Sequence, residues 1–373
     1  MKILSSPPTD VITKTAMTML TAPLSDEVDV FYLWACATPV ADIAVTKSKN
    51  IIAVKDTLGQ AFVTGRMPYA EDLVKMAQSN LDKKFVFVLS MENVEHTFAE
   101  CTNVKVIHMG GDWLNELELY ADMPPVADKN FDSNRTTLSL NRNPRFHRMI
   151  NVSYLHATGI RSNSVISYLH TDLVKHESIL DAVPWDFGKI DPVHRQMILD
   201  GFLQLKENTA PADSYDIYKD IGLIQNTSNF ARSLREKYRS SFVELVTETT
   251  FAEPAIHLTE KTLHAFLGYN FPIVLGSVGT VEFLRNLGFD MFDDVVDHTY
   301  DTDPDPVGRV VNAINSNYHL LASSDFAIAR WKACKARFDS NWQLVRSGQL
   351  AQWYTARLEK QFAQSVKEWL LSD

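Results

Sequence analysis

The segment at residues 257–289, HLTEKTLHAFLGYNFPIVLGSVGTVEFLRNLGF, constrains the fold of this chain more than any other. Thr259 stands where a helix N-cap would, and Leu263, Phe266 and Leu267 follow at helical spacing until a stop at Asn270. Pro272-Ile273-Val274-Leu275 then reads as a short buried strand, and Thr280 opens a second helix that runs to Leu287 and is closed by Gly288. Helix, strand and helix in such quick succession build an open α/β sheet, whose ligands sit at the carboxyl ends of strands and at helix N-termini. Exposed backbone N–H groups, the helix dipole and an ammonium such as Lys261 stabilise an anion there, a diphosphate included. Glu260 can accept hydrogen bonds from sugar or ribose hydroxyls. The plainer alternative is a solvated first turn, where acidic residues are favoured in any case.

This segment resembles the donor-binding motif of the α1,3-fucosyltransferase family. There a TEK or SEK triplet opens a helix, and an Ala, a Pro-Ile or Pro-Val strand and a Gly-Ser or Gly-Ala turn follow. The matching positions are Thr259-Glu260-Lys261, Ala265, Pro272-Ile273 and Gly276-Ser277. The resemblance implies that Glu260 and Lys261 contact a nucleotide-sugar, with Glu260 counted among the catalytic residues and Thr259, Gly276 and Ser277 among those around the donor. It says little about the acceptor.

A second segment points the same way. Thr137–Asn141 is a short β-like run with Leu138 and Leu140 alternating, and it leads directly into Arg142, Arg145, His147 and Arg148. Guanidiniums crowded at a strand end repel one another unless an anion or carboxylates lie between them, and their planar forks suit phosphate oxygens. The string SLNRNPRFHR resembles a motif in a broad group of glycosyltransferase-like proteins, many of them from viruses of microbes. In that group it precedes a TEK segment by a little over a hundred residues, as here. The resemblance places Asn141, Arg142, Arg145 and His147 at the donor. The alternative is a capped helix start with surface arginines.

The chain's 373 residues exceed one ordinary core, so two domains are expected. A hydrophobic content of 45% with 22% charged residues is that of a soluble globular protein. The N-terminus carries no basic stretch ahead of an apolar core, and no apolar run reaches membrane-spanning length, so the expectation is neither signal peptide nor membrane span and a cytoplasmic location, in the host cytoplasm if the chain is viral. Three widely spaced cysteines, Cys36, Cys101 and Cys334, fit reduced thiols. A net charge of −10 argues against a general nucleic-acid binder without excluding a local basic groove.

Short β-rich runs at 29–34, 51–54, 85–89 and 104–108, with a helical pattern at 70–80, make residues 1–135 one α/β unit, the acceptor side. Residues 123–135, with Pro124-Pro125 and several Asp and Asn, read as a linker. Residues 136–322 form a second, nucleotide-sugar-binding α/β unit, with a helix at 150–158, a strand at 242–247 and a later helix at 307–322. Residues 181–222 lack periodicity and read as an insertion or a long loop over the site. Residues 323–373 show a helical pattern whose tryptophans, Trp331, Trp342, Trp353 and Trp369, form a packing face, folding back on the domains. The expected architecture is α/β and GT-B-like: two Rossmann-like domains facing a cleft, with long C-terminal helices.

The expected activity is transfer of a sugar from a nucleotide-diphosphate donor to an acceptor hydroxyl, inverting and metal-independent, with no cofactor. Departure of a diphosphate needs cations, supplied by Arg142, Arg145 and Lys261. An inverting enzyme also needs a base, and Asp112, after the strand Val104–His108 and two glycines, leads the candidates; Glu92, Glu95 and His96 follow the previous strand in an equivalent place. Asp301-Thr302-Asp303 fits the DxD pattern that holds a metal in GT-A enzymes, but its late, Pro-flanked position reads as an acidic loop. The acceptor is open: a glycan, a small molecule, a protein, or a modified base of viral DNA. A catalytically inactive nucleotide-sugar-binding or structural protein is the remaining alternative.

Overall fold

The computed structural model of the chain describes residues 2–3, 28–32, 48–55, 68–108, 117, 120–141, 145–168, 191–207, 234–252, 254–361 and 369–370. They form an α/β fold with two sheets, each wholly parallel. The first runs in the order β1 (Lys2–Ile3), β2 (Val28–Tyr32), β3 (Asn50–Lys55), β4 (Lys84–Leu89) and β5 (Val104–His108). Of the run read at 29–34, Leu33 and Trp34 lie outside the described residues. Phe85, Val86, Phe87, Val88 and Leu89 are all fully buried, which is why the run is continuously apolar: a parallel sheet is covered on both faces. Helix α1 (Pro68–Gln78) begins on a proline, whose missing N–H costs nothing in a first turn.

The second sheet has the order β7-β6-β8-β9 and contains β6 (Thr137–Asn141), β7 (Ser164–Tyr168), β8 (Val243–Thr247) and β9 (Phe271–Leu275). Around it lie α2 (Phe146–Ala157), α3 (Pro192–Glu207), α4 (Arg235–Ser240), α5 (Glu260–Leu267) and α6 (Thr280–Asn286). Then come α7 (Pro306–Ser316), α8 (Tyr318–Ala322), α9 (Ser324–Ala333), α10 (Lys335–Arg346) and α11 (Gln349–Gln361). Among the described residues no helix is long and apolar enough to cross a membrane. Cys101 and Cys334 are free and buried, and Cys36 lies outside the described residues.

Three expectations are corrected. The helix read at 150–158 starts at Phe146, because the polar residues that disguise its first turn, His147 and Arg148, are themselves buried. The helix read at 307–322 breaks at Asn317, whose amide donates to Asp297 O at 2.8 Å and accepts from Asp297 N at 2.9 Å, pinning the turn to a distant loop. Within 181–222, residues 192–207 form α3 rather than loop; Asp191 Oδ1 caps it by accepting from Val193 N at 2.8 Å. The rest of that stretch, Asp191 apart, lies outside the described residues.

The stretch read as a linker is anchored through Lys129, which is 8% exposed. Its Nζ lies 2.5–2.7 Å from four acceptors, Tyr238 O, Ser241 O, Gly268 O and Asn270 Oδ1, which share its three protons. Ser241 and Gly268 are the C-caps of α4 and α5, so one cation serves the negative ends of two helices. Burial pushes the amine toward deprotonation and the charge of Glu244 opposes it. Four oxygen acceptors and no donor favour the ammonium.

C-terminal helices tie the sheets together. Trp331 and Trp342 are buried, Trp331 donating to Tyr269 O at 2.7 Å, while Trp353 is 43% exposed and stands outside the packing face. Arg357 on α11 clamps Glu92 with two bonds of 2.9 and 2.8 Å, and Gln361 Oε1 accepts from His108 N at the end of β5. Glu92 also exchanges both backbone hydrogen bonds with Ile256 at 2.8 and 3.0 Å. Replacing Lys129 with Met should lower unfolding stability by about 3 kcal/mol or more, because four buried acceptors lose the ammonium between them. A urea midpoint within error of the wild type would show that the cage does not hold the linker.

Candidate functional site

The second sheet carries a reversal of strand order at β6: the chain leaves it toward β7 and returns on the other side as β8. Crevices at such a switch point are where open α/β sheets bind ligands. Here β6 and β8 pair over two positions, Thr137 with Val243 and Leu138 with Glu244, whereas β8 and β9 pair over five. The strands therefore part toward their carboxyl ends, bridged by Thr247 Oγ1 donating to Asn141 Oδ1 at 2.9 Å. Asn141 is 1% exposed, and its Nδ2 is spent on Ser139 O and Oγ.

At the mouth of this gap the central group is Glu248, one residue past β8 and 1% exposed. Oε1 accepts from Thr259 N at 3.2 Å and Thr262 Oγ1 at 2.5 Å; Oε2 accepts from Thr249 N at 3.2 Å and Thr259 Oγ1 at 2.5 Å. A protein carboxylate thus caps the N-terminus of α5, where the sequence placed a ligand diphosphate. Sequence reasoning missed it; its signal was the polar run Glu248-Thr249-Thr250 directly after the buried strand β8.

The arginine segment closes over the same residues. Arg145, the extended N-cap of α2, donates to Thr249 O. His147 Nε2 donates to Glu248 O at 3.0 Å, and Arg148 to Thr247 O at 3.1 Å. Carbonyls at the end of β8 thereby separate the charges, a role the sequence gave to an anion. His147 is 4% exposed and its ring stacks on Phe251 at 4.5 Å. Burial, reinforced by Arg148 and Arg145, holds its pKa well below the ordinary value, so it is neutral. Arg142 lies outside the described residues.

Thr259 caps α5 as expected, its Oγ1 accepting from Lys261 N at 3.5 Å. Glu260 and Lys261 are half-buried rather than freely exposed, with side chains 25% and 23% accessible. Lys261 Nζ lies 3.0 Å from Glu260 Oε1, 3.0 Å from Thr259 Oγ1 and 3.5 Å from Thr249 Oγ1. Burial raises the Glu260 carboxyl, but Lys261, helped by His264, more than offsets this and holds it at about 2. One turn further on, His264 Nε2 meets Tyr120 OH at 2.7 Å.

The turn after β9 is built tightly. A Cβ on Gly276 would stand 2.6 Å from Thr280 Oγ1, so glycine is required for α6 to fold back onto the strand end. Ser277 is 1% exposed and its Oγ donates to Ala255 O at 2.8 Å. Asp301, from the DxD-like triplet, accepts from Val281 N and Glu282 N and so caps α6. Asp303 accepts from Asp305 N and Asn312 Nδ2. Asp301 is thus engaged by α6 and Asp303 by its own loop and α7, and among the described residues no group of three His, Cys, Asp or Glu is placed to hold a metal.

Of the base candidates, Asp112 lies outside the described residues. His96 is exposed, and Glu92 is held by Arg357. At the end of β5, His108 is 1% exposed and lies between Met91 O at 2.7 Å and Glu95 Oε1 at 2.6 Å. Two acceptors require both ring nitrogens to donate: although burial lowers its pKa, Glu95 and Glu92 raise it above the ordinary value. Glu95, bonded to His108, falls to about 2. No family model, curated protein or solved structure matches this chain.

Two outcomes follow from this geometry. Glu248→Gln should cost about 2 kcal/mol, since the amide turns an N–H₂ toward donors it cannot accept from, and a thermal midpoint unchanged from wild type would contradict the cap. The Glu260 carboxylate adds stability that is complete above the ordinary 4.5 and lost as pH falls through about 2. In Lys261→Met its pKa should rise, and an NMR titration identical to wild type would remove the pairing.

Proposed function

We propose that this chain is a glycosyltransferase of GT-B arrangement, moving a sugar from a nucleotide-diphosphate donor to an acceptor hydroxyl with inversion and without a metal. The observation that carries the reading is the meeting of the two motifs on one residue: Arg145 donates to the carbonyl of Thr249 and Lys261 approaches its hydroxyl. Two cations from segments far apart in sequence thus converge at the carboxyl end of β8, beside the switch point. Their charge is what a departing diphosphate needs, and preorganised donors of this kind act without reorganising during the reaction.

Glu260, ionised and beside Lys261, is suited to accept hydrogen bonds from donor hydroxyls, with Thr259 capping the helix that it opens; Gly276 and Ser277 form the neighbouring turn after β9. Arg142, the residue that follows β6 in the sequence, is proposed to join them at the donor. Asp112, four residues after β5 in the sequence, is the proposed base; the Glu92–Ile256 bridge and the Arg357–Glu92 clamp from α11 join the first sheet to the stretch that leads into α5. That return of a terminal helix onto the first sheet also supports the GT-B reading. The acceptor side lies with the first sheet, and a cytoplasmic location fits the reduced cysteines.

Release of free nucleoside diphosphate from a panel of sugar nucleotides tests the proposal. Wild-type protein should release it from at least one donor, and Glu260→Ala and Lys261→Ala should lower the rate by about a hundredfold or more. Arg145→Lys should be nearly as harmful as Arg145→Ala, because an ammonium cannot copy the two-pronged contact. Activity should survive excess chelator, and Asp303→Ala should be mild. No release from any donor, or wild-type turnover by both Glu260→Ala and Lys261→Ala, would sink the reading; loss in chelator restored by manganese would move the diphosphate onto a metal.

A further inference from the structure

Around the end of β8, threonine hydroxyls have sharply different commitments. Thr247 donates to Asn141 Oδ1, Thr259 to Glu248 Oε2 and Thr262 to Glu248 Oε1. Thr250 Oγ1 is enclosed and has no partner among the described residues. Thr249 differs from all four. Its N–H is taken by Glu248 Oε2, its carbonyl by Arg145, and its hydroxyl oxygen faces Lys261 Nζ at 3.5 Å, yet among the described residues that hydroxyl donates to nothing. Thr249 is half-buried, so its side chain keeps access to solvent.

An oxygen that receives an ammonium N–H on one lone pair directs its own proton away from that ammonium. The proton of Thr249 therefore points away from Lys261. The contact to Lys261 is also the longest of the three that Nζ makes, the others being 3.0 Å, so it is the one an incoming anion displaces most easily. A fixed backbone, a free hydroxyl proton and a cation from each motif together make a seat for a phosphate oxygen.

We infer that Thr249 is a direct contact of the donor diphosphate, giving its hydroxyl hydrogen bond to a phosphate oxygen held between Arg145 and Lys261. The inference rests on the glycosyltransferase reading for the identity of the ligand. It adds a neutral donor that neither motif contains and that fixes where the diphosphate lies: over the end of β8, outside the α5 N-terminus that Glu248 fills.

The test is calorimetric titration of the full chain with GDP, UDP and inorganic pyrophosphate. Thr249→Val keeps the shape and removes only the hydroxyl; it should weaken binding of both nucleotide and pyrophosphate by about tenfold, the size expected for one hydrogen bond to a charged group. Thr249→Ser should stay within about twofold of wild type. Both variants should melt with the wild type, and Thr249→Ala supplies a second hydroxyl-free variant should the valine perturb the fold. Unchanged affinity in Thr249→Val and Thr249→Ala, equal loss in the serine variant, or an effect on the nucleotides but not on pyrophosphate would overturn the inference while leaving the glycosyltransferase reading intact. A wild-type protein that binds none of the three probes overturns both.

Discussion

The carboxylate of Glu248 is the constraint on which the second sheet's carboxyl edge depends. Two of its four donors are backbone N–H groups, from Thr249 and Thr259, and two are hydroxyls, from Thr259 and Thr262. A charge this deeply buried persists only when its lone pairs are filled, and these four bonds fill them. In doing so they fix the start of α5 against the end of β8. Thr259 is then held on three sides, and Lys261 emerges in the direction of Thr249 and Arg145. The positions of Glu260 and Lys261 follow from a residue that neither motif includes.

Glu248 also decides where an external anion can sit. A helix N-terminus attracts one negative charge strongly, and here that place is taken by the protein itself. Arg145, His147 and Arg148 in turn are steadied by the carbonyls of residues 247–249. The backbone at the end of β8 is therefore gripped from both sides, by cations on its carbonyls and by a carboxylate on the N–H of Thr249. What this grip leaves uncommitted is the Thr249 hydroxyl proton, with Lys261 on its oxygen and Arg145 on the carbonyl of the same residue. Preorganisation of this kind comes from the folded chain alone and needs no ligand to assemble it.

Legibility from sequence followed the range of the interactions involved. Strands such as Lys84–Leu89 and Phe271–Leu275 were readable because burial on both faces writes itself as a continuous apolar run. Thr259 was readable because capping is local. The start of α2 was not, since His147 and Arg148 look solvated until the distant carbonyls of β8 are in place. Lys129 misled in the same way: in a Pro-rich, acidic stretch it reads as linker, and only the arrival of two helix C-termini explains its burial. Glu248 and Thr249 were missed because their meaning lies wholly in contacts with residues far along the chain, whereas Glu260 and Lys261 are marked by a contiguous triplet.

The join between the sheets bears directly on this site. Ala255 packs in the hydrophobic core of the first sheet, and Ile256 exchanges backbone bonds with Glu92, yet Thr259 a few residues on belongs to the cap of α5. The short stretch between them cannot absorb much displacement, because both of its ends are hydrogen-bonded and buried. Glu92 is in turn clamped by Arg357, and His108, which accommodates a buried positive charge only with Glu95 and Glu92 beside it, stands at the neighbouring strand end. A shift of the first sheet therefore pulls on the residues that open α5, and hence on Lys261. The proposed transfer would need a group from the first sheet and a diphosphate on the second to be held in register, and this stretch is the covalent and hydrogen-bonded link between the two.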